Sequence, residues 1–403
     1  MRTIHKIGKL SFVLISIILL AKACSYDKNP KTYLKRVLNN LEQIESASYY
    51  TTTEGWAPGD TVANMILDRY IKEFNNPLDT TIGASFVELL QDDTTQMKLC
   101  YDGIMRALVR EDDKKIILDS FNVRKLPFRP IIPPFFNYTK SIIKYALETK
   151  DSISMVFEEC GDTLHLSLSI FEDKQIEFFG KPYLMDNKYT FDNNDSKYDI
   201  WINKSNGLPF KLRREMFHDI SVRTCRDVEL NKMNREDFKA SDYFQTDFSI
   251  QTYRSGKRSW SKGLEGKVAP DWVLKNANNK TFALKDMKSK ALMIQFTSVS
   301  CGPCRASVPF LNKLDSEYIK EDFDFVAIEG FSSNSNVLKS YQNRSDINYT
   351  FLMSTKDVTK SYEVKSVPVF FILDENRVIR KVIRGYGEGS TDKKIRDAIN
   401  ELI

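Results

Sequence analysis

Cys301 and Cys304 enclose Gly302-Pro303 in the run Ser300-Cys301-Gly302-Pro303-Cys304-Arg305. Cysteines at this spacing can close a small disulfide or open to a dithiol. Their chemistry needs one thiolate, because the thiolate is the nucleophile of disulfide exchange. The flanking sequence supplies a means of making it. Ala291 to Thr297 reads as a buried strand and Arg305 to Leu314 as a helix. A helix opening at the C-x-x-C offers unpaired N–H groups and partial positive charge to the first cysteine, which favours its thiolate. Cys301 is then the attacking thiol, and Cys304, one turn further in, resolves the mixed disulfide. Pro303 stiffens the turn and removes a backbone donor from it. Gly302 and Pro303 are the residues a substrate would meet beside Cys301. Arg305 adds a cation nearby. A zinc site is disfavoured, since no second C-x-x-C is present and the histidines are His5, His165 and His218. No cofactor is expected beyond the redox-active Cys301–Cys304 disulfide.

The 403 residues leave room for two or three domains. With 42% hydrophobic and 12% aromatic residues the chain can build real cores. The formal charge of +5 is concentrated in residues 1–23, which hold Arg2, Lys6, Lys9 and Lys22 and no acid. Without those four, 55 basic side chains face 54 acidic ones, so there is no surplus to hold nucleic acid. The same 23 residues have the layout of a secretory signal: a charged start and an apolar run from Leu10 to Ala21. That run is shorter than the roughly 20 residues a span needs. Its tail, Leu20-Ala21-Lys22-Ala23-Cys24, resembles a bacterial lipobox, with departures at Ala21 and Lys22. The resemblance implies that Cys24 is lipidated and becomes the mature N-terminus. Ser25 after it points to the outer membrane, facing the periplasm or the cell surface. Residues 24–30 are a polar tether. Of the six cysteines, Cys100, Cys160 and Cys225 remain. An odd number leaves at least one free or intermolecular thiol. Cys160 and Cys225 sit in strand-like runs and could pair, or all could be buried thiols acting as small hydrophobes.

Residues 31–250 read as a β-rich N-terminal domain of α+β class. Pro30 stands where a first helical residue belongs, and Leu34, Val37, Leu38, Leu41 and Ile44 follow at helical spacing, giving a helix over 30–46. Strand-like runs then alternate with turn signals to about 230. Leu164, Leu166 and Leu168 alternate with polar residues, and Asn206-Gly207 separates two runs of a hairpin, Tyr198–Ile202 and Phe210–Met216. Pro127, Pro130, Pro133 and Pro134 exclude a central strand, and a helix is expected at 138–147. The opening helix, the strand-like Ser46-Ala47-Ser48-Tyr49-Tyr50 and the Leu208-Pro209-Phe210 element resemble the LolA/LppX-like half-barrel of lipoprotein-carrier and sensor domains. That resemblance implies a large antiparallel sheet with a concave apolar face. Residues 251–266 read as a linker.

From 267 to 403 the pattern changes. Ala269-Pro270-Asp271-Trp272, the strand before the C-x-x-C and the strand opening on Pro368 resemble the TlpA/ResA-like thioredoxin family. The resemblance implies an α/β thioredoxin fold with a helix–strand insertion between Cys304 and Pro368. It also implies a cis Val367–Pro368 bond facing the dithiol, with Val367 turned out to pair with substrate. Gln295 stands where thioredoxins carry a buried carboxylate, so proton transfer needs water or another group, for which Glu329 is the best substitute. Ser307 stands where many relatives have glutamate, and Thr297 and Ser300 replace tryptophans. The expected function is a lipid-anchored, extracytoplasmic thiol–disulfide oxidoreductase. The Gly-Pro dipeptide resembles reductases poised near about −270 mV, so it is expected to reduce protein disulfides and to be recharged by a membrane thiol donor. The alternatives are a ligand- or lipid-binding carrier lipoprotein with an accessory redox domain, and a thiol peroxidase.

Overall fold

Pro30 opens the first helix in the computed structural model of the chain, which describes residues 30–56, 61–122, 131–185, 195–216, 219–253 and 263–403. The targeting segment, Cys24, Pro127, Pro130, His218 and residues 254–262 lie outside the described residues. Helix α1 (Pro30–Glu42) buries Leu34, Val37, Leu38 and Leu41 on one face. It stops at Glu42, short of the expected 46, because Ser46 already begins a strand.

The N-terminal strands are β1 (Ser46–Trp56), β2 (Met65–Asn75), β3 (Ala84–Leu90), β4 (Met97–Tyr101), β5 (Arg106–Arg110) and β6 (Lys115–Asp119). After helix α2 (Phe135–Glu148) come β7 (Ile153–Cys160), β8 (Thr163–Ile170), β9 (Gln175–Phe178) and β10 (Pro182–Met185). Then follow β11 (Ser196–Asn203), β12 (Leu208–Glu215), β13 (Ile220–Leu230) and β14 (Ser249–Thr252). Twelve of them form one sheet in the order β14-β6-β5-β4-β3-β2-β1-β13-β12-β11-β8-β7, while β9 and β10 pair separately. Pairing is antiparallel except for β14, which runs parallel to β6. β1 therefore lies mid-sheet, joined to its neighbour in sequence and to the late strand β13. In the β11–β12 hairpin Gly207 has φ +65°, and a Cβ there would stand 2.6 Å from the Asn40 side-chain nitrogen, so both conformation and space call for glycine.

Helices α1 and α2 cover part of one sheet face, where Val37, Leu41, Ile142, Leu166, Tyr198 and Ile200 are buried together. The start of α2 needs outside help, because Pro134 at its N-cap makes no side-chain cap. Glu73 on β2 supplies it. Its carboxylate accepts from Phe136 N at 3.2 Å, Asn137 N at 2.7 Å and Tyr49 Oη at 2.7 Å, and Tyr49 Oη accepts from Phe135 N. Burial raises the Glu73 pKa, and these donors oppose the rise.

The C-terminal region has β15 (Val273–Asn276), β16 (Thr281–Ala283), β17 (Ala291–Thr297), helix α3 (Gly302–Glu317), β18 (Phe323–Glu329) and helix α4 (Ser335–Arg344). It continues through β19 (Thr350–Met353), helix α5 (Lys356–Ser361), β20 (Val369–Leu373), β21 (Ile379–Arg384) and helix α6 (Ser390–Asn400). The sheet order is β16-β15-β19-β18-β17-β20-β21, with β17, β18 and β19 parallel. Every residue of β17 is buried. Successive side chains point to opposite faces, so Met293 joins Leu311 and Ile395 while Leu292, Ile294 and Phe296 join Trp272 and Tyr362. α4 and β19 occupy the stretch where a helix–strand insertion was expected.

Three expectations are corrected. Cys160 and Cys225 are unpaired, and Cys160 is exposed rather than buried because it lies on the face of β7 opposite Met155 and Phe157, which pack on the core. The linker is shorter than 251–266: Gln251 and Thr252 pair in β14, and Leu264 is buried in the C-terminal core. Gly266 N also bonds to the Ile379 carbonyl at 2.8 Å, so that region begins before 267. Among the described residues, no helix is long and apolar enough to cross a membrane.

Candidate functional site

The buried strand β17 ends at Thr297, and four residues later Cys301 stands as the N-cap of α3. Pro303 fits the first turn of that helix, where its missing N–H costs nothing. Cys301 Sγ accepts from Cys304 N at 3.2 Å. The helix start thus offers the sulfur a real donor, the arrangement that favours a thiolate. Cys301 is half-buried, whereas Cys304 is only 1% exposed. The two are disulfide-bonded, with Cα atoms 5.2 Å apart. Gly302 and Pro303 are half-buried and flank the accessible sulfur. Pro309 lies within α3 on its exposed side.

The Val367–Pro368 bond is cis. Cys301 Sγ lies 3.8 Å from the Val367 carbonyl oxygen, so β20 begins directly beside the nucleophile. Pro368 is buried, and its carbonyl accepts from Gly385 N at 2.8 Å. The structure therefore brings together Cys301, Cys304, Gly302, Pro303, Val367 and Pro368.

Gln295 and Ser307, which depart separately from the family pattern, meet in space. Gln295 Nε2 donates to Ser307 Oγ at 3.2 Å, and Ser307 Oγ donates to the Cys304 carbonyl at 2.6 Å. Both residues are buried. The position beneath Cys304 is thus filled by a neutral pair with no group that gains or loses a proton near neutral pH.

Glu329 sits at the end of β18 and is fully buried. One carboxylate oxygen accepts from Val299 N at 2.7 Å; the other accepts from Phe331 N at 2.9 Å and Ser332 N at 3.0 Å. Burial pushes its carboxyl up to about 7, against the lowering effect of these donors and of the Ser298 hydroxyl. Its carboxylate ties the loop before Cys301 to the loop after β18. Ser298 Oγ is 3.3 Å from Ser300 Oγ, so the run into Cys301 is polar. Sequence reasoning missed Phe331, which is 60% exposed beside Glu329. An aromatic directly after a strand-end Glu-Gly was its available signal.

The family model described as Redoxin matches residues 264–399. Thioredoxin-like protein YneN of Bacillus subtilis (strain 168) is 31% identical over 120 residues, covering 29% of this chain and 70% of that protein. Thiol-disulfide oxidoreductase ResA of the same strain is 28% identical over 150 residues, covering 36% of this chain and 78% of its own. The crystal structure of a thiol:disulfide interchange protein of the thioredoxin family from Chlorobium tepidum TLS is 24% identical, with a TM-score of 0.30, covering 33% of this chain and 95% of that one.

Proposed function

Because this chain belongs to the Redoxin family of thioredoxin-like proteins and is a thiol–disulfide oxidoreductase, we propose that it reduces disulfides of other proteins outside the cytosol. The observation that carries this reading is a half-buried Cys301 at a helix N-cap, beside Val367 and backed by a buried Cys304. In the reduced chain the Cys301 thiolate attacks one sulfur of the client disulfide. A Cys301–client bond forms and the other client sulfur leaves as thiolate. Cys304 then gives up its proton and attacks Cys301 Sγ, releasing the second client thiolate. Two electrons pass to the client, and the chain is left with the Cys301–Cys304 disulfide. Gln295 cannot take the Cys304 proton. Glu329, titrating at about 7, is the group we assign to proton exchange at the site.

The Gly302-Pro303 dipeptide supports the reductive direction, with a membrane thiol donor restoring the dithiol. The lipobox-like stretch ending in Cys24 supports a lipid anchor on the outer membrane, facing the periplasm or the cell surface. Cys304→Ser should freeze mixed disulfides on Cys301 in cells. Absence of any captured client, or a measured potential above about −150 mV, would overturn the reductase reading. Mass spectrometry of the mature N-terminus tests the anchor, and an unmodified cleavage product there overturns it.

A further inference from the structure

A cavity of about 380 Å³ opens beside Ser298, Val299 and Ser300, the residues that lead into Cys301. Phe331 forms part of one wall. The opposite wall belongs to the twelve-stranded sheet: Trp56 at the end of β1, Met65 at the start of β2 and Ile220 at the start of β13. Met65 also lines a second cavity of about 300 Å³ on the sheet face that α2 packs against, where Ile131 to Phe135, leading into α2, form one side. This second cavity takes lining residues from β13, β1, β2, β3, β4 and β5 in turn. Six neighbouring strands span roughly 24 Å, the length of about seven extended residues. The two cavities adjoin at Met65, and together they line a trough that reaches Ser300, the residue before the nucleophile.

The lining has a definite chemistry. Leu67, Ile71 and Leu99 are apolar, and among them stand Arg69, Arg106 and Arg223 against a single carboxylate, Glu88. Arg106 is bridged to Asp119, and Arg69 and Arg223 both lower the Glu88 pKa against the effect of its burial. The guanidinium groups are spread over β2, β5 and β13 rather than gathered at one end. A lipid carries its charge at one end, whereas a polypeptide can place carboxylates along its length. Met65 and Leu67, which line the trough, are 43% and 37% exposed, apolar surface that the core of the sheet does not use.

We propose that this trough is the client-docking surface. An extended stretch of an unfolded, disulfide-bearing polypeptide, apolar with interspersed acidic side chains, lies along it and presents its disulfide to Cys301. The proposal rests on the protein-reductase reading above and uses the same exchange steps. The N-terminal sheet would then set which clients are reduced, by raising their encounter with a dithiol that small disulfides reach without it.

The test is single-turnover oxidation of the pre-reduced full chain, with scrambled ribonuclease A and with 2-hydroxyethyl disulfide. The double variant Met65→Glu/Leu67→Glu should slow the reaction with scrambled ribonuclease about tenfold, while the rate with 2-hydroxyethyl disulfide stays within about twofold. Phe331→Ser, on the opposite wall, should show the same split in smaller degree. Leu78→Glu, a 91% exposed site away from the trough, should change neither rate. Equal losses on both substrates, or no loss on either, overturn the docking surface. So does native mass spectrometry that finds a lipid in the purified chain, if its removal leaves the ribonuclease rate unchanged. An unaltered chain that oxidises with 2-hydroxyethyl disulfide but not with scrambled ribonuclease overturns the protein-reductase reading itself, which distinguishes that failure from a failure of the trough alone.

Discussion

Each region of this molecule buries a carboxylate against backbone N–H groups, and the two carboxylates are used differently. Glu73 faces the first turn of α2 and the hydroxyl of a buried tyrosine. It replaces a cap that Pro134 cannot provide, and it fixes one helix on one sheet. Glu329 faces two loops, one leading into the nucleophile and one carrying Phe331. The same device, charge-assisted hydrogen bonds to backbone donors, holds a helix in one region and the loop leading into the nucleophile in the other. Where the donors sit on a helix, removing the carboxylate unsettles packing. Where they sit on loops, the carboxylate holds the approach to the nucleophile, and the proton exchange proposed for it is what a pH profile can test.

The largest effect should come from Glu73→Ala. It strands the Tyr49 hydroxyl and two helix N–H groups in a buried place, at a cost of roughly 4 kcal/mol. Urea unfolding should show that loss in the N-terminal region, while the reactivity of the Cys301–Cys304 pair is unchanged. A matching loss of dithiol reactivity would break the division between scaffold and site.

Next comes the pH dependence of the C-terminal region. The folded Glu329 carboxyl titrates at about 7, above its ordinary value of 4.5, because it is buried. A raised carboxyl binds its proton more tightly in the folded state. The stability it contributes is therefore full below about 4.5 and is lost as pH rises through about 7, amounting to roughly 3 kcal/mol. Urea midpoints across that window should fall with rising pH, and Glu329→Gln should flatten the slope. Glu73 is raised as well, so the N-terminal region should slope the same way. The alkylation rate of reduced Cys301 should respond to Glu329→Gln through its pH profile, and should not respond to changes at Glu73.

Much of the dithiol site was legible because its chemistry is local. Two cysteines, a strand before them and a helix after them lie within one short run, and Pro368 marks its strand on its own. The alternating Leu164, Leu166 and Leu168 and the Asn206-Gly207 turn were equally plain, since period and turn chemistry act over a few residues. β2 was harder to see. Its first half is exposed and its second half buried, so no single period runs through it. That irregularity is what the trough requires, and the trough draws on strands far apart in sequence. The Gln295–Ser307 pair was hidden for a related reason. Each residue read as a separate departure, and only the packing of α3 on β17 makes them one hydrogen-bonded unit.

That pair gives the smallest prediction and the sharpest contrast with Glu329. Ser307→Ala removes the partner of the buried Gln295 amide and a donor to the Cys304 carbonyl, and should cost about 1 kcal/mol. Neither side chain titrates near neutral pH, so the loss should be equal at about pH 5 and about pH 8. The change that Ser307→Ala makes in the equilibration of the dithiol with glutathione should be equally small at both pH values. If the loss instead grows with pH, then removing the hydroxyl has altered the field at Glu329, and the neutral pair beneath Cys304 and the ionisable clamp beside Cys301 act as a single coupled system.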